Sequence, residues 1–153
     1  PTGYSYYNLW SADNTTTGYN DNSVVKTVYD PSPVGFKMPA SNAFTGFTTT
    51  GQNSSTQSEF NVDGTSDWQT YQNNFGHNFW TSSSKTATIN FPASGFRNDI
   101  VGSLNSVGGS GFFWSAVPFN AGNGSNLNFG SGGVFPLLSG TRTYGFAARP
   151  VSE

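Results

Sequence analysis

Between residues 100 and 148 the chain carries one charged side chain, Arg142, and that stretch constrains the fold more than any other feature. A surface helix needs a charged or strongly polar face and good helix formers. This segment offers glycine, asparagine, serine and short aromatic runs instead ("GFFWSA", "LNFG", "YGFAAR"), which suit strands joined by turns. The rest of the chain follows the same chemistry. Six basic and eight acidic residues are set against 14 Phe, 7 Tyr and 4 Trp, so the core must be aromatic rather than aliphatic. At 153 residues the chain reads as one domain, starting at Pro1 as the C-terminal module of a longer protein, with length enough for a core without metal or disulfide.

Several function classes lose support at once. A net charge of −2 with no basic cluster offers nothing to a phosphate backbone, so nucleic acid is not an expected partner. No apolar run approaches the roughly 20 residues of a membrane span, and no direct membrane insertion is expected. With no cysteine and one histidine, His77, the usual zinc ligand sets cannot be assembled, and neither a metal nor a cofactor is expected. "FGHNFW" holds no nucleophile elbow. The acids Asp13, Asp21, Asp30, Glu59, Asp63, Asp67, Asp99 and Glu153 form no recognisable catalytic pair, and Asp63 and Asp67 read as turn acids. The chain is therefore expected not to be an enzyme.

Along the chain, "VVKTVY" (24–29) predicts a strand and "ASNAFTGF" (40–47) the best helix. "EFNVDG" alternates like a half-buried strand. "ATINFPASGF" predicts a strand with Ala87, Ile89 and Phe91 on one side. "DWQTYQNNFGHNFW" has aromatics at mixed spacing and stays unassigned. In "GVFPLLSGTR" (133–142) a proline interrupts three large apolar residues. Val134 is expected to point inward and Arg142 to brace the turn, with Phe135, Leu137 and Leu138 at loop positions. Trp114 and Phe129 are expected in the core.

Five ordered blocks, "KTVYDPSPVGFKMP" (26–39), "FPASGFR" (91–97), "GSLNSVGGSGFFWSA" (102–116), "LNF" (127–129) and "YGFAARPV" (144–151), resemble the Fibrobacter succinogenes major paralogous domain family. The resemblance implies a C-type-lectin-like fold: α+β, β-rich, with small antiparallel sheets, one or two short helices and long loops. Ser32 and Pro150 stand where relatives often have cysteine, so packing must hold the ends together. Relatives of this type include variable proteins of diversity-generating retroelements from gut Bacteroidota and their phages, in which adenines of a C-terminal coding segment are mutated. Apart from Pro136, residues 135–141 are all reachable from asparagine codons through adenine changes alone.

The resemblance implies a non-catalytic, receptor- or adhesin-type domain on a bacterial surface or a phage virion, binding a protein or glycan on a cell. Its variable site is expected on the C-terminal loops, from Phe112, Phe119, Phe135, Leu137, Leu138 and Tyr144 together with Asn105, Asn120, Asn123, Asn126, Asn128, Ser139 and Thr141. Aromatic and asparagine side chains give rigid contact area and adaptable hydrogen bonds. The glutamate–proline–asparagine triplet of calcium-dependent sugar binding is missing, and the cysteines of formylglycine-generating enzymes are absent. The alternative is a structural or oligomerisation module of a pilus tip or phage tail fibre, with the apolar stretch packed on a neighbouring subunit.

Overall fold

The charge-poor segment forms the centre of the molecule. In the computed structural model, which describes residues 9–12 and 17–153, the strands Ser110–Pro118 (β6), Asn123–Gly130 (β7) and Gly133–Thr141 (β8) make an antiparallel meander. The short Ala147–Ala148 (β9) runs parallel to β6, giving the order β8-β7-β6-β9. Smaller antiparallel pairs surround this sheet. Phe36–Lys37 (β1) pairs with Val151–Ser152 (β10), Gly76–Trp80 (β2) with Thr88–Pro92 (β3), and Phe96–Arg97 (β4) with Leu104–Asn105 (β5). With one short α-helix, Trp68–Asn73 (α1), and two 3₁₀ turns, the fold is mixed α+β and β-rich.

"GVFPLLSGTR" corrects the expectation of a displayed loop, because residues 133–141 are strand β8. Pro136 is tolerated for two reasons. It sits on an edge strand, and it coincides with a bulge where the β7–β8 register slips between Asn126 and Asn128. The edge is covered by residues 53 and 54. Ser54 exchanges backbone hydrogen bonds with Val134 (2.9 Å each way), and the Asn53 amide clamps Leu137, accepting from its N–H (2.9 Å) and donating to its carbonyl (2.7 Å).

Alternation along the meander sends Phe113, Leu127, Phe129 and Val134 into the main core, with Phe44, Phe60, Tyr71, Phe79 and Phe91. The packing is aromatic, as the composition requires. Phe79 meets Phe129 edge-on at 5.7 Å, and Phe47 stacks on Phe79 at 4.1 Å. Gly111 faces Phe129 across the ladder, and a Cβ there would lie 2.2 Å from the ring, so only glycine fits.

His77 lies inside this cluster, 3% exposed among Phe60, Tyr71, Phe79 and Phe129, and its Nε2–H donates to the Gly130 carbonyl at 3.1 Å. Burial lowers its pKa, opposed in part by that hydrogen bond. The unfolded chain therefore binds a proton on His77 before the folded protein does. Stability is full above about pH 6.5 and falls as the pH drops below it. Urea midpoints are expected to fall between pH 7.5 and pH 5, and His77→Phe to flatten that dependence. Asp67 does not confuse this window, since Thr65 and Thr70 hold its carboxyl down to about 2. Equal pH slopes in wild type and variant would refute the assignment.

Three local expectations need correction. "VVKTVY" is not a strand: residues 24–29 make a single bridge, Ser11 to Lys26. The chain instead wraps the Lys26 ammonium, which donates to the carbonyls of Ser32, Pro33 and Phe36, while the Asp30 carboxylate accepts from the amides of Ser32 and Met38. Local side-chain bonds have replaced a ladder. The helix of 40–47 is a 3₁₀ turn, Ser41–Phe47, and Ser41 bonds both backbone groups of Asn20 instead of capping it. The α-helix forms in the unassigned aromatic stretch, where Asp67 is its N-cap, accepting from the Thr70 amide at 3.0 Å, rather than a plain turn acid.

"EFNVDG" contributes only bridges, Thr48 to Phe60 and Val62 to Phe79, and the strand predicted ahead of a turn in 87–96 is β3, Thr88–Pro92, which leaves Ala87 exposed. The ends are held without disulfide by the β1–β10 pair, by a Glu153 amide bond to the Gly35 carbonyl (3.1 Å) and by a Lys26–Glu153 ion pair at 3.8 Å. Asp13 lies outside the described residues.

Candidate functional site

Opposite its core face, the main sheet turns a second face away from the main aromatic core. By register, Phe112 and Trp114 on β6 stand beside Asn128 and Asn126 on β7, which stand beside Phe135 and Leu138 on β8. Aromatic rings from beyond the sheet complete it. Phe146 stacks on Trp114 at 4.3 Å and on Phe112 at 4.9 Å, and Phe96 meets Phe112 at 5.0 Å and Tyr144 at 5.2 Å.

Two glycines make the floor on which these rings lie. Gly124 and Gly140 are paired across β7 and β8. A Cβ on Gly124 would come within 3.1 Å of the Trp114 ring, and one on Gly140 within 2.9 Å of the Phe146 ring. Their lack of side chains lets the indole and the phenyl drop against the backbone. A cavity of about 430 Å³ opens beside this floor, walled by Trp10, Pro31, Trp114, Arg142, Tyr144 and Phe146 among others. Its size falls in the range of small-molecule sites, about 300–1,000 Å³.

Asn126 is the unusual member. It is 3% exposed, on the central strand between Trp114 and Leu138, and its Nδ2 lies against Gly140. Nearly all buried side-chain amides have hydrogen-bond partners. The Asn126 amide has none among the described residues, and solvent still reaches its polar atoms. Asn128, two residues along and half-buried on the same face, likewise has no side-chain hydrogen bond to a described residue. An amide row between aromatic walls can take a ligand's hydroxyl, amide or carbonyl groups by hydrogen bonding while the rings cover its apolar surface.

The face gathers six of the thirteen residues expected from the sequence: Phe112, Asn126, Asn128, Phe135, Leu138 and Tyr144. The others lie elsewhere. Asn120 is a turn former, its Oδ1 accepting from the amides of Gly122 and Asn123 (3.0 Å each). Phe119 packs on Tyr19 at 5.1 Å. Asn123 and Thr141 pair with each other, as do Ser125 and Ser139, and alternation turns these positions to the opposite side from Asn126. Ser139 is bonded by the Tyr19 hydroxyl, whose pKa burial raises. Leu137 is the residue clamped by Asn53. Asn105 pairs with Phe96 at the margin of the face and donates to Ser103.

Trp114 is core as expected, 7% exposed in a second buried cluster with Val24, Met38 and Ala116 against which Tyr144 and Phe146 pack, whereas Phe96 and Phe146 were missed. The alternation in "GFFWSA" carried the signal, since Phe113 and Trp114 are adjacent in a strand and must face opposite sides. Arg142 braces the β6–β7 turn as expected, donating from Nη2 to the Asn120 carbonyl (2.9 Å) and from Nε to that of Asn123 (3.3 Å). Val134 is fully buried and points inward.

No carboxylate lines this cavity, and among the described residues no three His, Asp or Glu side chains cluster as a metal site. Comparisons with protein-family models, with curated proteins and with solved structures find no match.

Proposed function

We propose that this chain is a non-catalytic ligand-binding domain of the receptor or adhesin type, exposed on a bacterial surface or a phage virion, whose recognition surface is the aromatic–amide face of the main sheet. The observation that carries the reading is the Asn126 amide, which no described residue bonds, beside the rings of Trp114 and Phe146. Solvent still reaches its polar atoms, so a ligand that bonds the amide exchanges that water for a direct hydrogen bond.

The small sheets, the pairing of the C-terminal strand β10 with β1 at residues 36–37 and the sequence blocks together support a C-type-lectin-like domain related to the Fibrobacter succinogenes major paralogous family. On this reading the diversified positions are strand residues, among them Asn126, Asn128, Phe135 and Leu138. The coding DNA tests that part: a nearby template repeat differing from the 102–149 segment at adenines only is expected, and differences spread over all four bases would remove it.

The binding role is tested with a fluorescently labelled chain on a printed glycan array and on fixed bacterial cells. Wild type is expected to mark a discrete subset, and the pair Asn128→Ala with Phe135→Ala to weaken that signal about tenfold or more with little change in melting temperature. An array and a cell panel that wild type leaves blank, or that the double variant marks equally well, would overturn it.

A further inference from the structure

A second cavity, of about 460 Å³, lies away from the aromatic–amide face and shares no lining residue with the first. The 3₁₀ turn, the β2–β3 hairpin and the segment entering β10 enclose it. Among the described residues, Arg149 is the only charged group in its lining, and no carboxylate lies there. The guanidinium carbon lies over the Phe91 ring, 4.7 Å from its centre, and its Nη1 donates to the Asn90 carbonyl at 2.9 Å. One donor of five thus ties the C-terminal segment to β3. The Nε and Nη2 edges have no acceptor among the described residues, and no carboxylate there pairs with Arg149.

Two other groups in the same wall are uncommitted. The half-buried Trp80 ring packs on no other described aromatic ring, and its indole N–H has no acceptor among the described residues. The Asn61 amide spends its hydrogens on the carbonyls of Gly46 (2.8 Å) and Trp80 (3.5 Å), leaving Oδ1 as a free acceptor. The cavity therefore presents a fork of cationic donors, a flat apolar plate, and one donor and one acceptor of neutral type.

We infer that this cavity binds an acidic sugar, a pyranose bearing a carboxylate such as a hexuronate. Its carboxylate meets the free edge of Arg149, its C–H face lies on Trp80, and its ring hydroxyls bond Asn61 Oδ1 and the indole N–H. A simple carboxylate would use only the arginine, and a neutral sugar would leave the one charge in the cavity desolvated and unpaired. The chemistry of the wall matches a ligand with both parts.

The test uses trigalacturonate, its methyl ester, which lacks the charge, and acetate, each titrated into the full chain by calorimetry at low salt and followed by amide NMR shifts. Trigalacturonate is expected to bind and to shift residues around Trp80 and Arg149. The ester and acetate are each expected to bind about tenfold more weakly or worse, the loss of one charge-assisted pair or of the stacked ring. Arg149→Gln is expected to abolish the preference for the acid over the ester. Trp80→Leu, which leaves Arg149 and its bond to Asn90 in place, is expected to weaken trigalacturonate but not acetate, and it keeps the test decisive if Arg149→Gln fails to fold. Phe75→Ala, whose exposed ring lines neither cavity, is expected to leave trigalacturonate binding unchanged. Equal affinity for acid and ester, indifference to Trp80→Leu, or loss of binding in Phe75→Ala would each overturn the assignment.

Discussion

Phe129→Ala is expected to remove about 3–5 kcal/mol of stability, the usual cost of emptying a fully buried phenylalanine site. Domains of this kind have only about 5–15 kcal/mol in total, so the variant should unfold at a much lower urea concentration or fail to accumulate in soluble form. The site has little freedom to collapse. Phe129 is fully buried, its ring stands near those of Phe79, Phe113, His77 and Tyr71, and Gly111 lies directly against it. These residues come from α1, β2 and β6, so no single loop can move in to fill the void. Phe75→Ala is the control. That ring is 73% exposed, and its removal is expected to change stability by no more than about 0.5 kcal/mol. Similar urea midpoints for the two variants would mean that the core is not organised around Phe129.

Phe129 could be placed inward from sequence, and Asn126 and Asn128 away from it, because of the period-two alternation of β-structure. In a run such as "SNLNFG", alternation says which residues share a face but not which face meets the core. Here Leu127 and Phe129 are the apolar set, so "NLNF" orients itself and leaves Asn126 and Asn128 on the other side. "GFFWSA" does not orient itself, because Phe112, Phe113 and Trp114 are all large and apolar. Only the pairing with β7 separates Phe113, core, from Phe112 and Trp114, face.

The strand character of 133–141 was hidden by Pro136, whose effect depends on whether the strand is at an edge, and edge position is a property of the assembled sheet. The same holds for "VVKTVY". Its β-branched residues favour a strand, but Lys26 sits where three carbonyls of the following turn converge on its ammonium, and nothing local to residues 24–29 announces them. α1 escaped for another reason. With six residues it is too short to show a period, and its one legible mark was Asp67, three residues before the amide it caps.

Asn126→Leu separates a recognition role from a structural one. Leucine keeps the branched outline of asparagine, with a greater volume and no polar atoms. If the amide serves folding, its loss should cost stability, as the removal of any working buried hydrogen bond does, about 0.5–1.5 kcal/mol. If it bonds only water and is held open for a ligand, the substitution breaks no hydrogen bond to a described residue, and stability is expected to stay level or rise by less than about 1 kcal/mol. The second outcome is expected, because no described residue bonds the amide and Trp114, Leu138 and Phe146 already offer an apolar setting. Binding should move the other way, with the array and cell signals of wild type falling about tenfold or more. Opposite signs for stability and binding at one position are hard to obtain from a residue that merely packs. A variant that melts lower and binds as before would return Asn126 to the core and leave the face without its central contact.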